Sequence, residues 1–205
     1  MVTGSGDSQC IIYHMNNDDN FGRPAKVLNK SHSSINSIDF SSDYRYCALG
    51  TNICKLLSIF NNFDEIRNFG EPGPRISSVK ISSNSYYIAT GGFDHTARIY
   101  LLDTAKLLNI YKHHKDVVSS VCFDSTVKIF STGSYDNTVN IYELNLEEKI
   151  YQKRKVKSLK DLEVSLDDLK YKFKDHDQLV NCVRFSSNDL LFATASADNK
   201  VILYC

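Results

Sequence analysis

Two sets of threonine, histidine and aspartate are the residues of this chain that could do chemistry. They are Thr132–His114–Asp136 and Thr194–His176–Asp198, and in both sets the histidine precedes the aspartate by 22 residues. A hydroxyl, an imidazole and a carboxylate are the groups of a hydrolase triad. Catalysis would also need an exposed nucleophile and an oxyanion site, whereas two copies at matching positions indicate a structural role. We therefore expect no catalytic residues and no enzymatic activity.

Both sets lie in a segment that recurs four times along the chain. The copies are VTGSGDSQCIIY (2–13), ATGGFDHTARIY (89–100), STGSYDNTVNIY (131–142) and ATASADNKVILY (193–204). The Asp94–Asp136 spacing is 42 residues, and the Asp136–Asp198 spacing is 62, which is one repeat plus 20 residues. Alternating apolar residues predict strands, and each aspartate predicts a turn. A unit of about 40–45 residues made of short strands predicts one four-stranded blade of a β-propeller.

The unit that contains His114 resembles a WD repeat. The shared pattern is His114–x3–Val118–x2–Val121–x–Phe123, then Ser131 to Asp136, then Val139–x–Ile141–Tyr142. The resemblance implies that a histidine, a hydroxyl, an aspartate and a closing aromatic form a hydrogen-bonded tetrad that braces the blade. The implied tetrads are His114, Thr132, Asp136 and Tyr142, and His176, Thr194, Asp198 and Tyr204. Tyrosine stands here in place of the family's tryptophan, because the chain has no tryptophan.

Two units depart from this pattern. The first has His32 but no aspartate after the segment that ends at Asn52, and the second has Asp94 but carries Pro72 where its histidine would fall. We expect these two blades to be less tightly braced than the others.

The repeats cover nearly the whole chain and predict an all-β fold. We expect a partial WD-repeat propeller of about four to five four-stranded blades. The expected ranges are a partial blade at about 1–20, blades at about 27–64, 70–105, 110–145 and 174–205, and a basic insertion at about 146–173. Because rings of this family most often have seven blades, we expect the chain to be a piece of a longer propeller. Ser165 and Asp168 have the spacing of a capping box, which predicts a helix in the insertion.

Composition excludes several classes of function. The chain has 24 basic and 24 acidic residues, so its bulk charge does not favour polyanion binding. Its apolar runs are too short to span a bilayer. The six cysteines form no Cys-x-x-Cys pair, which predicts free thiols in a reducing compartment and neither disulfides nor zinc. We therefore expect a cytoplasmic and/or nuclear protein with no metal, no cofactor and no small-molecule substrate.

Phe93 and Tyr135 precede the turn aspartates of neighbouring repeats, and His95 follows one of them. The WD-repeat resemblance implies that this turn lies on the face that commonly binds partners, and aromatic anchors are favoured at interfaces. We expect these three residues to bind other proteins, with the alternative that each ring packs onto its own blade. The expected function is a non-catalytic scaffold.

Two other functions stay open. The basic insertion, which contains Lys149, Lys153, Arg154, Lys155, Lys157 and Lys160, could bind RNA in an RNA-processing complex. Its interleaved acidic residues favour a solvated loop. The chain could also be a substrate receptor of a ubiquitin ligase, but such receptors usually carry an arginine shortly after the closing strand, and none follows Tyr13, Tyr100 or Tyr142 there.

A narrower resemblance involves the segment Glu71–His114. Pro72-Gly73, the turn Gly92-Phe-Asp-His95, and Arg98 before the closing strand are similar to the last part of the G protein β subunit-like protein 1 family, also called ASTRA-associated proteins. This resemblance implies a scaffold linked to maturation of phosphatidylinositol-3-kinase-related kinases, and so to chromatin and DNA-damage signalling. Phenylalanine replaces the family's tryptophan in that turn.

Overall fold

The computed structural model describes residues 2–13, 21–28, 33–146 and 169–205, and regular structure there is almost entirely β-strand. In chain order the strands are β1 (Val2–Gly4), β2 (Cys10–Tyr13), β3 (Pro24–Leu28), β4 (Ser37–Phe40), β5 (Tyr46–Gly50), β6 (Cys54–Ser58), β7 (Asp64–Phe69), β8 (Ile76–Ile81), β9 (Tyr87–Gly92), β10 (Ala97–Leu101), β11 (Leu107–Tyr111), β12 (Val118–Phe123), β13 (Ile129–Ser134), β14 (Val139–Glu143), β15 (Leu169–Phe173), β16 (Val180–Phe185), β17 (Phe192–Ser196) and β18 (Val201–Tyr204).

The strands form five antiparallel sheets, which we call blades 1 to 5. Their strand orders are β1-β2-β3, β4-β5-β6-β7, β8-β9-β10-β11, β12-β13-β14-β15 and β16-β17-β18. Strand β4 contacts β8, β8 contacts β12, and β12 contacts β16. These inner strands therefore lie side by side in sequence order, with one sheet radiating from each. The architecture confirms the expected all-β partial β-propeller.

Serine hydroxyls connect the inner strands of successive blades. The Ser37 hydroxyl accepts a hydrogen bond from the backbone N–H of Val79 at 3.0 Å, and the Ser78 hydroxyl accepts one from Val121 at 3.2 Å. The Ser120 hydroxyl accepts from Val183 at 3.2 Å. These bonds satisfy backbone donors that the antiparallel ladders leave free, and they fix each blade against the next.

Each blade packs its apolar residues against the following blade. Val121 is fully buried, and Val180 and Val183 of blade 5 press against Gly133 of blade 4. A Cβ atom at Gly133 would lie 2.9 Å from a methyl group of each of these two valines. Glycine is therefore required there so that the next inner strand can approach.

The predicted aspartate turns are confirmed in four blades. The Oδ1 atoms of the four aspartates accept the backbone N–H two residues further on at 2.9–3.2 Å, in the pairs Asp7–Gln9, Asp94–Thr96, Asp136–Thr138 and Asp198–Lys200. The residue after each aspartate has a left-handed φ of 64–71°. This is the conformation that an Asx side chain stabilises by bonding to its own backbone.

The aspartate turns lie beside the loops that lead into the inner strands. The backbone N–H groups of Phe93, Tyr135 and Ala197 donate to carbonyls of Arg75, Val117 and Leu179 at 2.9–3.0 Å. We call this side of the molecule the turn face. On the opposite face, turns between the first and second strands of blades 2 to 5 are linked through Ser42, Ser83, Ser85, Ser125 and Asp189.

The outer strands fall outside the blade ranges expected from the repeats. Strand β3 (Pro24–Leu28) closes blade 1 beyond residue 20, and β15 (Leu169–Phe173) closes blade 4 inside the expected insertion. The four recurring segments end with the third strand of a blade and therefore do not mark the outer strand, and every residue of β15 is exposed or half-buried. Some predicted residues lie outside the described part of the chain: His32, Ser165, Asp168 and the six basic residues of the insertion.

No helix in the described part of the chain is long and apolar enough to cross a membrane.

Candidate functional site

Blade 4 brings its histidine, threonine and aspartate together. His114 lies in the loop before β12, Thr132 lies in β13 and Asp136 lies in the following turn. Nδ1 of His114 is 3.1 and 3.2 Å from the two carboxylate oxygens of Asp136, and its Nε2 is 2.6 Å from the Thr132 hydroxyl. A neutral imidazole satisfies this geometry by donating from Nδ1 to the carboxylate and accepting the threonine hydroxyl at Nε2.

Blade 5 repeats the arrangement. His176 Nδ1 is 2.9 Å from Asp198 Oδ2, and His176 Nε2 is 2.8 Å from the Thr194 hydroxyl. In both blades the backbone N–H after the histidine also donates to the aspartate, at 2.9 Å from Lys115 and 3.1 Å from Asp177. Each aspartate therefore ties the incoming loop to the turn, and each histidine ties both to the second strand.

Hydrogen bonding keeps both aspartates ionised. Burial on its own would raise the pKa of Asp136, but hydrogen bonds from His114, Thr138 and the Lys115 backbone outweigh it and hold that pKa well below its usual range. The same balance, with His176, the Asp177 backbone and the Lys200 backbone as donors, lowers the pKa of Asp198 to about 2.

The two triads cannot be reached by a substrate. Thr132 is 0 % exposed and Thr194 is 1 % exposed, and each donates its hydroxyl proton into the blade. The side chains of His114 and His176 are 2 % and 1 % exposed. Because a nucleophile must meet its substrate, this geometry serves to brace a blade and gives no access to the hydroxyl.

The closing tyrosines do not take the same place in the two tetrads. Tyr142 is buried, and its hydroxyl makes no hydrogen bond with a described residue. Burial raises the pKa of Tyr142 to about 12, although Thr132 and Asn140 lie near enough to oppose this effect. The Tyr204 hydroxyl instead donates to Asp175 Oδ2 at 2.9 Å. The structure therefore joins the first three members of each predicted tetrad and leaves the tyrosine to pack.

Sequence reasoning missed the aromatic partners of the closing tyrosines. Ring centroids of the pairs Phe69–Tyr100, Tyr111–Tyr142 and Phe173–Tyr204 are 5.7, 4.3 and 4.7 Å apart. In each pair an outer-strand aromatic of one blade packs on the tyrosine of the next, and such pairs add to the stability that burial provides. The signal was available, because each aromatic precedes its tyrosine by 31 residues.

The two atypical blades use other contacts. In blade 3 the Asp94 carboxylate accepts from the Arg98 guanidinium at 2.6 Å and from the Thr96 hydroxyl at 2.9 Å. Burial opposes ionisation of Asp94, but these donors, Arg98 foremost, leave its pKa lowered. In blade 2, Asn52 occupies the aspartate position and accepts a hydrogen bond from the Ser33 hydroxyl at 3.0 Å.

The turn face presents the candidate partner-binding residues. Phe93 is 41 % exposed and Tyr135 is 39 % exposed, so each ring is partly packed and partly free. The Arg75 guanidinium lies 5.4 Å from the centroid of the Phe93 ring, in the geometry of a cation–π contact. His95 is exposed beside Phe93 and has the left-handed φ of 65° that the turn requires.

The cysteines are free thiols in the structure, with Cys10, Cys47, Cys54 and Cys122 buried, Cys182 half-buried and Cys205 exposed. Burial raises the pKa of Cys10 to about 11, so this thiol stays protonated at neutral pH. Within the described ranges no three histidine, cysteine or acidic side chains are grouped so that they could hold a metal ion.

A family model described as the neurobeachin β-propeller domain matches residues 25–205, which is most of the chain and includes all of blades 2 to 5. A comparison with curated proteins found no match. The family match confirms the WD-repeat propeller and does not extend to the narrower kinase-maturation family.

Proposed function

The chain belongs to the neurobeachin β-propeller domain family, and we propose that it is a non-catalytic scaffold that binds another protein on its turn face. Propeller domains of this kind generally bind other proteins and perform no reaction themselves. A fold alone names no function, so the proposal depends on the surface residues of this chain.

One observation carries the proposal: two aromatic rings occupy the same turn position in neighbouring blades and stay two-fifths exposed. The backbone N–H groups of Phe93 and Tyr135 donate to the carbonyls of Arg75 and Val117, which fixes the backbone that carries the two rings. A backbone that is already ordered lowers the entropy cost of binding, and aromatic side chains are enriched among the residues that dominate interface energies.

Partner recovery tests the proposal directly. We expect Phe93→Ala and Tyr135→Ala in the full-length protein to reduce recovery of its partner at least tenfold while leaving the melting temperature nearly unchanged. Tyr86→Ala is the matched control, because Tyr86 is 68 % exposed in the turn between β8 and β9 on the opposite face. Equal recovery for all three variants would exclude the turn face, and a large loss of melting temperature would show that the two rings belong to the core.

The partner class is a further part of the proposal. The resemblance of the segment Glu71–His114 to the G protein β subunit-like protein 1 family supports a role in a complex that matures phosphatidylinositol-3-kinase-related kinases in the cytoplasm or nucleus. The free thiols are compatible with those compartments. Mass spectrometry of proteins recovered with the full-length protein decides this point. Kinase-maturation chaperones would support it, whereas spliceosomal or ubiquitin-ligase subunits would replace it.

A further inference from the structure

Blade 3 contains a cavity at the position that a histidine fills in blades 4 and 5. Its volume is about 270 Å³, and it lies between the loop Gly70–Pro74, Thr90 of β9, the Asp94–Arg98 pair and Tyr100 of β10. Pro72 precedes β8 by the same four residues that separate His114 from β12. The missing imidazole therefore leaves a cavity lined by the groups that would otherwise hold it.

The loop backbone also turns away from the aspartate. In blade 4 the Lys115 N–H donates to Asp136, but the equivalent N–H of Gly73 donates to the Asn52 carbonyl of blade 2 at 3.1 Å. This leaves the space beside Asp94 open, and the Arg98 guanidinium takes one side of it.

Two hydroxyl groups line the cavity and make no hydrogen bond with a described residue. Thr90 and Tyr100 are 3 % and 5 % exposed as whole residues, but their hydroxyl oxygens stay open to the cavity. A ligand that enters the cavity can therefore bond to them in place of water. The equivalent hydroxyls Thr132 and Thr194 donate to imidazole nitrogens at 2.6 and 2.8 Å.

We propose that this cavity binds the neutral imidazole ring of a histidine that a partner protein inserts through the turn face. One ring nitrogen accepts the Thr90 hydroxyl, as in the other two blades, and the opposite N–H faces Asp94. An acidic side chain fits less well, because Asp94 and Glu71 both line the cavity and Arg98 is already paired with Asp94.

The position of the cavity favours a protein as the source of the ring. Gly92, which lines the cavity, is bonded directly to Phe93, so a chain docked on the exposed Phe93 ring lies beside the opening. This inference rests on the proposed function, because it assigns part of the same partner to a defined subsite.

Titration with free imidazole tests the chemistry without any partner. We expect imidazole to bind the chain with a Kd on the order of millimolar, observed as saturable NMR shifts around Thr90. Thr90→Val should weaken binding about tenfold, the value of one hydrogen bond, and should leave the melting temperature unchanged because the Thr90 hydroxyl bonds to no described residue. Tyr100→Phe removes the second hydroxyl group that lines the cavity and is an independent variant for the same titration. Absence of binding, or acetate binding in place of imidazole, would overturn the proposal.

Partner recovery separates this inference from the function on which it rests. Thr90→Val in the full-length protein should reduce recovery about tenfold, alongside Phe93→Ala. If Phe93→Ala loses the partner and Thr90→Val retains it, the histidine subsite is wrong and the docking face stands. If both variants retain the partner, both proposals are wrong.

Discussion

Replacing Asp136 with alanine measures how much each buried triad stabilises its blade. The Asp136 carboxylate accepts hydrogen bonds from the His114 ring, the Lys115 backbone, and the backbone and hydroxyl of Thr138. His114 and Thr138 are 8 % and 5 % exposed, so their donors lose a partner where water enters poorly. Each unsatisfied buried donor costs about 1–3 kcal/mol, and partial relaxation of the turn recovers some of this. We therefore expect Asp136→Ala to lower the free energy of unfolding by about 3 kcal/mol.

The repeat provides its own controls for this substitution. Asp7→Ala removes the equivalent turn hydrogen bond, which the Gln9 backbone donates, at an exposed site. We expect it to lower the free energy of unfolding by only about 0.5 kcal/mol. Asp94→Ala removes a carboxylate whose main partner, the Arg98 side chain, is 30 % exposed and can turn to solvent, so about 1 kcal/mol is expected.

Urea unfolding followed by far-UV circular dichroism and tyrosine fluorescence gives these differences, because the chain has 12 tyrosines and no tryptophan. The shift in midpoint at constant slope reports the change in stability. We expect the loss of stability to be largest for Asp136→Ala, smaller for Asp94→Ala and smallest for Asp7→Ala. An Asp136→Ala shift no larger than that of Asp7→Ala would refute the triad as a brace.

Two further predictions concern pH and packing. Because hydrogen bonds lower the folded-state pKa of Asp198 to about 2, below its ordinary value of about 3.9, its stabilisation is present above pH 4 and is lost as the pH falls toward 2. Asp198→Asn should therefore remove part of the acid sensitivity seen in thermal melts, and an unchanged pH profile would contradict this. Gly133→Ala should cost about 1–3 kcal/mol, because its Cβ would press on two valines of blade 5. Gly6→Ala, where a Cβ meets nothing within 4 Å, should be nearly neutral, and equal urea midpoints for the two would contradict the packing argument.

The repeat made the blades and the triads predictable from sequence. The aspartate turn is a local structure, so the spacing of Asp94, Asp136 and Asp198 was enough to place it. The contact between His114 and Thr132 is not local, but the regular period brings the same positions together in each unit, and the structure joins them at 2.6 Å. The outer strands were harder to predict because the four recurring segments end with the third strand, so the repeat does not mark β15, even though its sequence LKYKF alternates apolar and charged residues.

Contacts that depend on the path of one loop could not be predicted in the same way. Whether the backbone at Gly73 would approach Asp94 or turn to Asn52 depends on the neighbouring blade, and the repeat pattern carries no information on that choice. The Tyr142 hydroxyl, which makes no hydrogen bond with a described residue, is a similar case, because a tyrosine in place of tryptophan changes the position of the polar atom while keeping the ring buried.

Hydrogen exchange of the full-length protein, with and without its recovered partner, tests the central claim most directly. We expect partner binding to slow the exchange of backbone amides in the turns at Phe93 and Tyr135 and to leave exchange in the opposite turns at Tyr44 and Tyr86 unchanged. Protection confined to the opposite turns would contradict docking on the turn face.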